Sequence, residues 1–227
     1  MIVAGIPVRN KLCYTAPLIE SLLYGDDIDE IWLYDNGSTD LTKSWAEHKI
    51  QYDERLKYKN ATDMRLYEMW NHMITRAANI GDVKLAVLNN DIRLPLMALK
   101  TMADNMGEYK IAAIDINKKS FQEINNVYPE TISWKERTGH AFMIDADFWK
   151  GQNFAVHPHL IWWWGDDDLF RRCESRGGKI CRMIGIGADH AESASDSEYN
   201  GNKWRDIELD RVKFRNIWSS PYSYRIL

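Results

Sequence analysis

Residues 29–49 read DEIWLYDNGSTDLTKSWAEHK. An unbroken apolar run, Ile31 to Tyr34, ends on Asp35, and a turn follows at once. Because the apolar residues do not alternate with polar ones, the run predicts a strand covered on both faces, as in a parallel sheet. Asn36-Gly37-Ser38-Thr39 is turn chemistry. Ser38 or Thr39 offers the N-cap of a helix that follows. Strand, short turn and helix in this order make up half of a βαβ unit.

The same grammar extends both ways. Upstream, IVAGIPV is a short apolar strand, and TAPLIESLLYG predicts a helix capped by Thr15, with Pro17 in its first turn and Gly25 at its stop. Downstream, Leu66, Met69, Trp70, Met73 and Ile74 recur at helical spacing over 66–80, and 83–89 is another buried strand. Further elements follow as a helix within LPLMALKTMADNMG, strands KIAAID and GHAFMID, a helix within DLFRRCESRGGKI that stops at Gly177-Gly178, and a strand KICRMIG. The alternation predicts an α/β fold, a Rossmann-like domain whose central mixed, mostly parallel sheet is flanked by helices. With no linker or repeat, one domain over 1–227 is expected. Its halves are 1–110 and 111–190, with 191–227 as a C-terminal wrap.

Bulk properties agree. The 227 residues are 45% apolar and 27% charged, which suits a chain with a real core. A net charge of −4 gives no global basic field to draw nucleic acid. No window approaches the ~18 apolar residues needed to cross a bilayer, and three widely spaced cysteines read as reduced thiols. A cytoplasmic protein without an integral membrane segment is expected.

In open sheets of this type, ligands sit at the carboxyl ends of the strands. Polar clusters fall at three such ends: Asp35-Asn36, Asn89-Asn90-Asp91 and Asp189-His190. Turn chemistry accounts for any one of them more comfortably than for all three.

GIPVRN, LYDNGSTDLT and LAVLNNDIRL, in that order, resemble the first half of a family-two inverting glycosyltransferase of the GT-A fold. TGHAFMIDADFW, GDDDLFRRCESRGGKI and ADHAESAS resemble its second half, so the resemblance spans roughly residues 1–200. It implies a nucleotide-diphosphate sugar as donor, a UDP-sugar first among them, and a divalent cation, Mn²⁺ or Mg²⁺. Pro7, Arg9, Asp35 and Asn36 lie where the family grips base and ribose, and Arg65 where a side chain approaches the donor. Asn89 and Asn90 stand in the family's D-x-D element, whose last acid is Asp91, and His190 fits the late histidine that completes the metal site. Hard oxygen and imidazole ligands suit an ion that stabilises a departing diphosphate.

An inverting reaction also needs a base to deprotonate the acceptor hydroxyl. The ungapped match puts Asp166 there, with Asp167 one residue away. Gly165 departs from the pattern, since the family usually has Glu there. Read without the resemblance, Asp166 to Asp168 are acids at a helix N-terminus, where they meet free N–H groups. Asp168 sits four residues before Arg172, a common surface pair, and Arg171, Arg172 and Arg176 read as a solvated helix face.

Trp162 to Trp164 read either as a strand-end core cluster or as a stacking platform. Trp163, Trp164 and His140 are the acceptor-side candidates. A saccharide, a protein side chain or a hydroxymethylated DNA base would serve as acceptor. The DNA option needs Lys118, Lys119, Lys203, Arg205, Arg211, Lys213 and Arg215 to gather into a cationic surface. The rival reading is a non-catalytic carbohydrate- or nucleotide-binding module on the same fold.

Overall fold

A computed structural model describes residues 1–25, 28–116, 124–136, 139–191 and 202–219. The elements in chain order are β1 (Ile2–Val8), α1 (Leu12–Gly25), β2 (Glu30–Asp35), α2 (Thr42–Lys49), β3 (Leu56–Asn60), α3 (Leu66–Ile80), β4 (Lys84–Leu88) and β5 (Ile92–Arg93). Then come α4 (Ala98–Asn105), β6 (Ile111–Ile116), β7 (Ile124–Thr131), β8 (Ala141–Asp145), α5 (Gly165–Ser175), β9 (Ile180–His190) and α6 (Lys203–Ser219).

The strands form one mixed sheet in the order β3-β2-β1-β4-β8-β6-β9-β5, with β7 also paired to β9. β1 to β4, β6 and β9 run one way; β5, β7 and β8 oppose them. The mostly parallel α/β sheet is therefore as expected. Its apolar runs are continuous because both faces are covered. Val3, Trp32, Tyr34, Leu85 and Val87 point into a core completed by α3, α5 and α6, whereas Ala4, Ile6, Ile31, Leu33, Ala86 and Leu88 point into one completed by α1 and α4. From α3, Met69, Trp70, Met73 and Ile74 enter the first core. At about 1.5–3 kcal/mol per fully buried side chain, this packing outweighs the tenths of a kcal/mol that set helix propensity.

Local rules misplaced two helix starts. α1 begins at Leu12, so Thr15 is a buried residue inside the helix whose Oγ1 donates to the Lys11 carbonyl, and Pro17 lies within it. Neither Ser38 nor Thr39 caps α2. The N-cap position is Leu41, and the side chain of Asp40 before it braces the start: its Oδ1 accepts from Thr42 N (2.9 Å), and its Oδ2 accepts from Leu12 N (3.1 Å) at the start of α1. One carboxylate thus serves two helices, a tertiary arrangement that a local capping rule does not contain.

Polar or short edge strands (β3, β5 and β7) gave no apolar signal. The expected wrap contains a 17-residue helix, α6, whose Phe214 enters the core; Lys118, Lys119 and the second half of the ADHAESAS segment lie outside the described residues. The arginines of α5 are no solvated face. Arg172 is buried against Asp168, Arg171 lies over Trp134 and Trp218, and Arg176 over Trp149.

Candidate active site

Parallel register aligns the carboxyl ends of the first strands: Val8 is opposite Asp35, and Asp35 opposite Asn60. Pro7 is half-buried opposite Tyr34, and Arg9 is exposed one residue beyond β1. Asp35 is buried at the end of β2: Oδ1 accepts from Ser38 N (2.8 Å) and Oδ2 from the Tyr58 hydroxyl (2.8 Å). Burial, then the Asp35 carboxylate behind it, pushes the Tyr58 hydroxyl far above its ordinary value, so it stays a donor.

Asn36 donates its amide to the carbonyls of Ala61 and Met64, which ties the loop before α3 to the end of β2. That loop presents Arg65, exposed, at the N-cap position of α3, with Glu68 Oε2 accepting from its N–H at 2.7 Å. Arg9 and Arg65 therefore flank a strand edge that also receives the positive end of α3, a setting suited to an anion.

β4 delivers the next cluster. Asn90 turns toward α1, donating to Thr15 Oγ1 (3.0 Å) and lying 3.5 Å from the Asn10 carbonyl, so it steadies the β1–α1 turn. Asn89 N donates to the His140 carbonyl (2.9 Å), and its side chain is 3.5 Å from His190 Nε2. Pairing of β5 with β9, together with Ala191 N donating to the Asp91 carbonyl at 3.1 Å, sets Asp91 beside His190. Their Oδ1 and Nε2 are 3.0 Å apart and both side chains are nearly buried. That is hydrogen-bond distance, and a carboxylate beside an imidazole is a donor set that would suit Mn²⁺ or Mg²⁺. Among the described residues, no group of three or more His, Cys, Asp or Glu could hold a metal, so other positions would fall to ligand oxygens and water. Asp91 also borders a cleft of about 890 Å³ between α1 and β5, lined by Tyr14, Pro17 and Leu94 among others.

The His190 ring lies on that of His140, with centroids 4.2 Å apart and planes at 30°. His140 follows Gly139, and a Cβ on Gly139 would come within 2.4 Å of Asp166 Oδ2. The Asp166 carboxylate thus rests on the backbone of Gly139. One continuous row runs Asp91, His190, His140, Gly139, Asp166, assembled from four distant parts of the chain.

The three acids of α5 are not equivalent. Asp166 is half-buried, Asp167 and Asp168 are buried. Asp168 is a structural hub rather than half of a surface pair: Oδ2 accepts from His157 N and Arg172 Nε (both 2.7 Å), and Oδ1 from Trp218 Nε1 (2.8 Å). Gly165 is explained by its neighbour. A Cβ there would lie 2.2 Å from the Tyr67 ring, whose hydroxyl donates to the Trp162 carbonyl at 2.9 Å. Enclosure first, and the Asp166 charge second, raise Tyr67 well above an ordinary phenol.

Residues 162–164 form a loop, not a strand end. Trp162 is the most exposed; Trp163 and Trp164 are half-buried, and Trp164 stacks on Phe214 at 5.4 Å. Tyr58, Tyr67, Asp210 and Trp218 carry no local sequence signal, yet they brace the site residues from elements far away in sequence; the Asp210 carboxylate accepts from three successive N–H groups of this loop.

A doubly wound, mostly parallel sheet with polar clusters at the carboxyl ends of β1, β2 and β4 is the architecture of a GT-A nucleotide-sugar glycosyltransferase. The chain belongs to glycosyl transferase family 2, whose model matches residues 4–162. Solved structures share the fold. TarS 1-349 of S. aureus superposes with a TM-score of 0.61 at 16% identity, over 99% of this chain and 68% of that one. GalNAc-T7 with UDP, GalNAc and Mn²⁺ gives 0.64 at 13%, over 100% and 49%. Glucosyl-3-phosphoglycerate synthase from Mycobacterium tuberculosis, in complex with Mn²⁺, UDP and glucosyl-3-phosphoglycerate, gives 0.60 at 14%, over 97% and 81%. At these identities the likeness is one of fold. A search of curated proteins gives no match. Among the described residues, no helix is long and apolar enough to cross a membrane.

Proposed function

We propose that this glycosyltransferase is inverting and divalent-metal-assisted, takes a UDP-sugar, and uses Asp166 as its base. The 3.0 Å pairing of Asp91 with His190, joined through His140 and Gly139 to Asp166, carries the reading. Mn²⁺ and UDP in the GalNAc-T7 and Mycobacterium tuberculosis synthase structures support the same choice of cofactor and donor. Asp91 and His190 would hold the cation, which, when bound, supplies positive charge to a diphosphate leaving group.

Arg9 and Arg65 bind the donor's anionic part from the β1 and α3 sides. Asp35 and Asn36 hold the base and ribose pocket in shape, Pro7 lines it, and Asn89 and Asn90 fix the loop around Asp91. Asp166 receives the acceptor proton as its hydroxyl oxygen attacks the sugar carbon opposite the departing phosphate. Asp166 is preferred to Asp167 because it is the less buried of the two.

Residues 1–227 are taken as one catalytic domain. The acceptor is a saccharide, a protein side chain or a hydroxymethylated DNA base, approaching from the side of Trp162, Trp163 and His140. Trp164 contributes less, because one of its faces is covered by Phe214.

Thermal shift with UDP-sugars, with and without Mn²⁺, tests the reading. Ligand at a hundred times its dissociation constant stabilises by about 2.7 kcal/mol, or roughly 5–11 °C for a chain of this size. The shift should require Mn²⁺ and shrink in Asp91→Asn and His190→Ala. Binding without turnover in the unmutated chain would favour a non-catalytic module instead.

A further inference from the structure

Asp210, Phe214 and Trp218 recur every four residues along α6 and so form one stripe, and each member grips a different part of the segment that carries Asp166. Asp210 Oδ2 accepts from three successive backbone N–H groups, those of Ile161 (3.0 Å), Trp162 (2.8 Å) and Trp163 (3.2 Å). Its Oδ1 takes Lys213 Nζ at 2.7 Å. Phe214 stacks on Trp164, whose φ of 68° is left-handed. Trp218 Nε1 donates to Asp168 Oδ1 at 2.8 Å. Asp166 is thereby held on both flanks.

We propose that Asp210 is a positioning residue for glycosyl transfer: its carboxylate fixes the course of residues 161–164, and through them the place of Asp166 beside Gly139. The proposal rests on Asp166 as the base. A carboxylate accepting three successive N–H groups leaves the loop one course, and each bond is charge-assisted. A reacting group displaced by about 1 Å loses roughly 10²-fold in rate. α6 lies wholly beyond the part of the chain matched by the family model, residues 4–162. The clamp is therefore contributed by a segment that the family model does not describe.

The test uses the full chain with Mn²⁺ and UDP-glucose or UDP-N-acetylglucosamine, reading UDP release as the sugar passes to water in place of the acceptor, with folded sites counted by UDP binding. Asp210→Ala should lower kcat per folded site about 10²-fold and leave KM within about threefold. Asp210→Asn keeps one acceptor oxygen and should recover about tenfold of that loss. A role in folding alone would reduce the number of folded sites and leave kcat per site unchanged, which would overturn the proposal. In an Asp166→Asn background, Asp210→Ala should cost less than about threefold more, because the residue it positions is already disabled; a full second loss would also overturn it.

The two readings fail differently. A fully active Asp166→Asn removes the base assignment and the route through it. An inactive Asp166→Asn with normal kcat in Asp210→Ala removes only the clamp. Amide exchange needs no substrate. Over 160–168 it should quicken at least tenfold in Asp210→Ala, with β1 and β4 unchanged, and an unchanged rate over 160–168 would refute the clamp.

Discussion

Replacing Gly165 by alanine tests why this chain lacks the glutamate usual in its family. The backbone at Gly165 is not left-handed, since its φ is not among the positive ones, so any cost comes from contact alone. A methyl group there would lie 2.2 Å from Tyr67 ring carbons, and Tyr67 is almost wholly enclosed. Overpacking of this kind costs about 1–3 kcal/mol, whereas exchanging Gly for Ala in a helix gains about 0.5–1. A contact as close as 2.2 Å belongs to the upper part of the overpacking range, so the net loss is about 1–2.5 kcal/mol and Gly165→Ala should lower Tm by about 2–10 °C at roughly 2–4 °C per kcal/mol.

The decisive measurement is a double-mutant cycle by urea unfolding. Tyr67→Ala alone should cost about 3–5 kcal/mol as a cavity. Gly165→Ala in that background should cost nothing or restore stability, because the new methyl group enters the space the ring vacated. Additivity to within about 0.5 kcal/mol would refute the steric account and leave the missing glutamate unexplained.

Asp168→Ala strands the buried Arg172 guanidinium and should cost about 3–5 kcal/mol; a Tm loss under about 2 °C would contradict its role as a hub. Burial alone would raise the Asp210 carboxyl, yet the Lys213 ammonium and three backbone N–H groups hold it below its ordinary value, and hydrogen bonds from Thr42 and Leu12 do the same for Asp40 against the same burial effect. Stability from a depressed carboxyl is complete above the unfolded value, near pH 4, and is lost as pH falls through the folded one. The urea midpoint should thus hold from about pH 7 to 5 and fall below about 4, less steeply in Asp210→Asn; an equal slope in that variant would count against the linkage. Burial pushes the Cys173 and Cys181 thiols up to about 12, whereas Cys13 is exposed. One thiol should therefore react rapidly with Ellman's reagent at pH 8, and all three after denaturation; rapid reaction of two in the native state would contradict the packing of α5 or β9.

Apolar runs and helical periodicity made β1, β2, β4 and α3 readable, because burial on both sheet faces writes itself into consecutive residues. Asp91 and His190 were readable only as types at strand ends; that they stand 3.0 Å apart follows from β5 pairing with β9 across about a hundred residues of chain. β3 and β7 escaped for the opposite reason. Edge strands such as LKYKN and INNVYPET gain from ladder hydrogen bonds without burying a continuous apolar face. The solvated arginine face was misread because cation–π contacts with Trp134, Trp149 and Trp218 come from outside α5.

In the row of acids at 166–168, spacing alone treats three carboxylates as alternatives. Burial and partners divide them: Asp168 has donors from Arg172 in its own helix and from His157 and Trp218 elsewhere in the chain, whereas Asp166 lies against Gly139, beside His140. Asp168 is fully buried and its oxygens already accept three hydrogen bonds inside the fold, so it presents no oxygen to a substrate hydroxyl. Anchor and proposed base thus fall within one turn of helix: Trp218 and Arg172 secure Asp168, Asp210 secures the loop before α5, and Asp166 lies between the two.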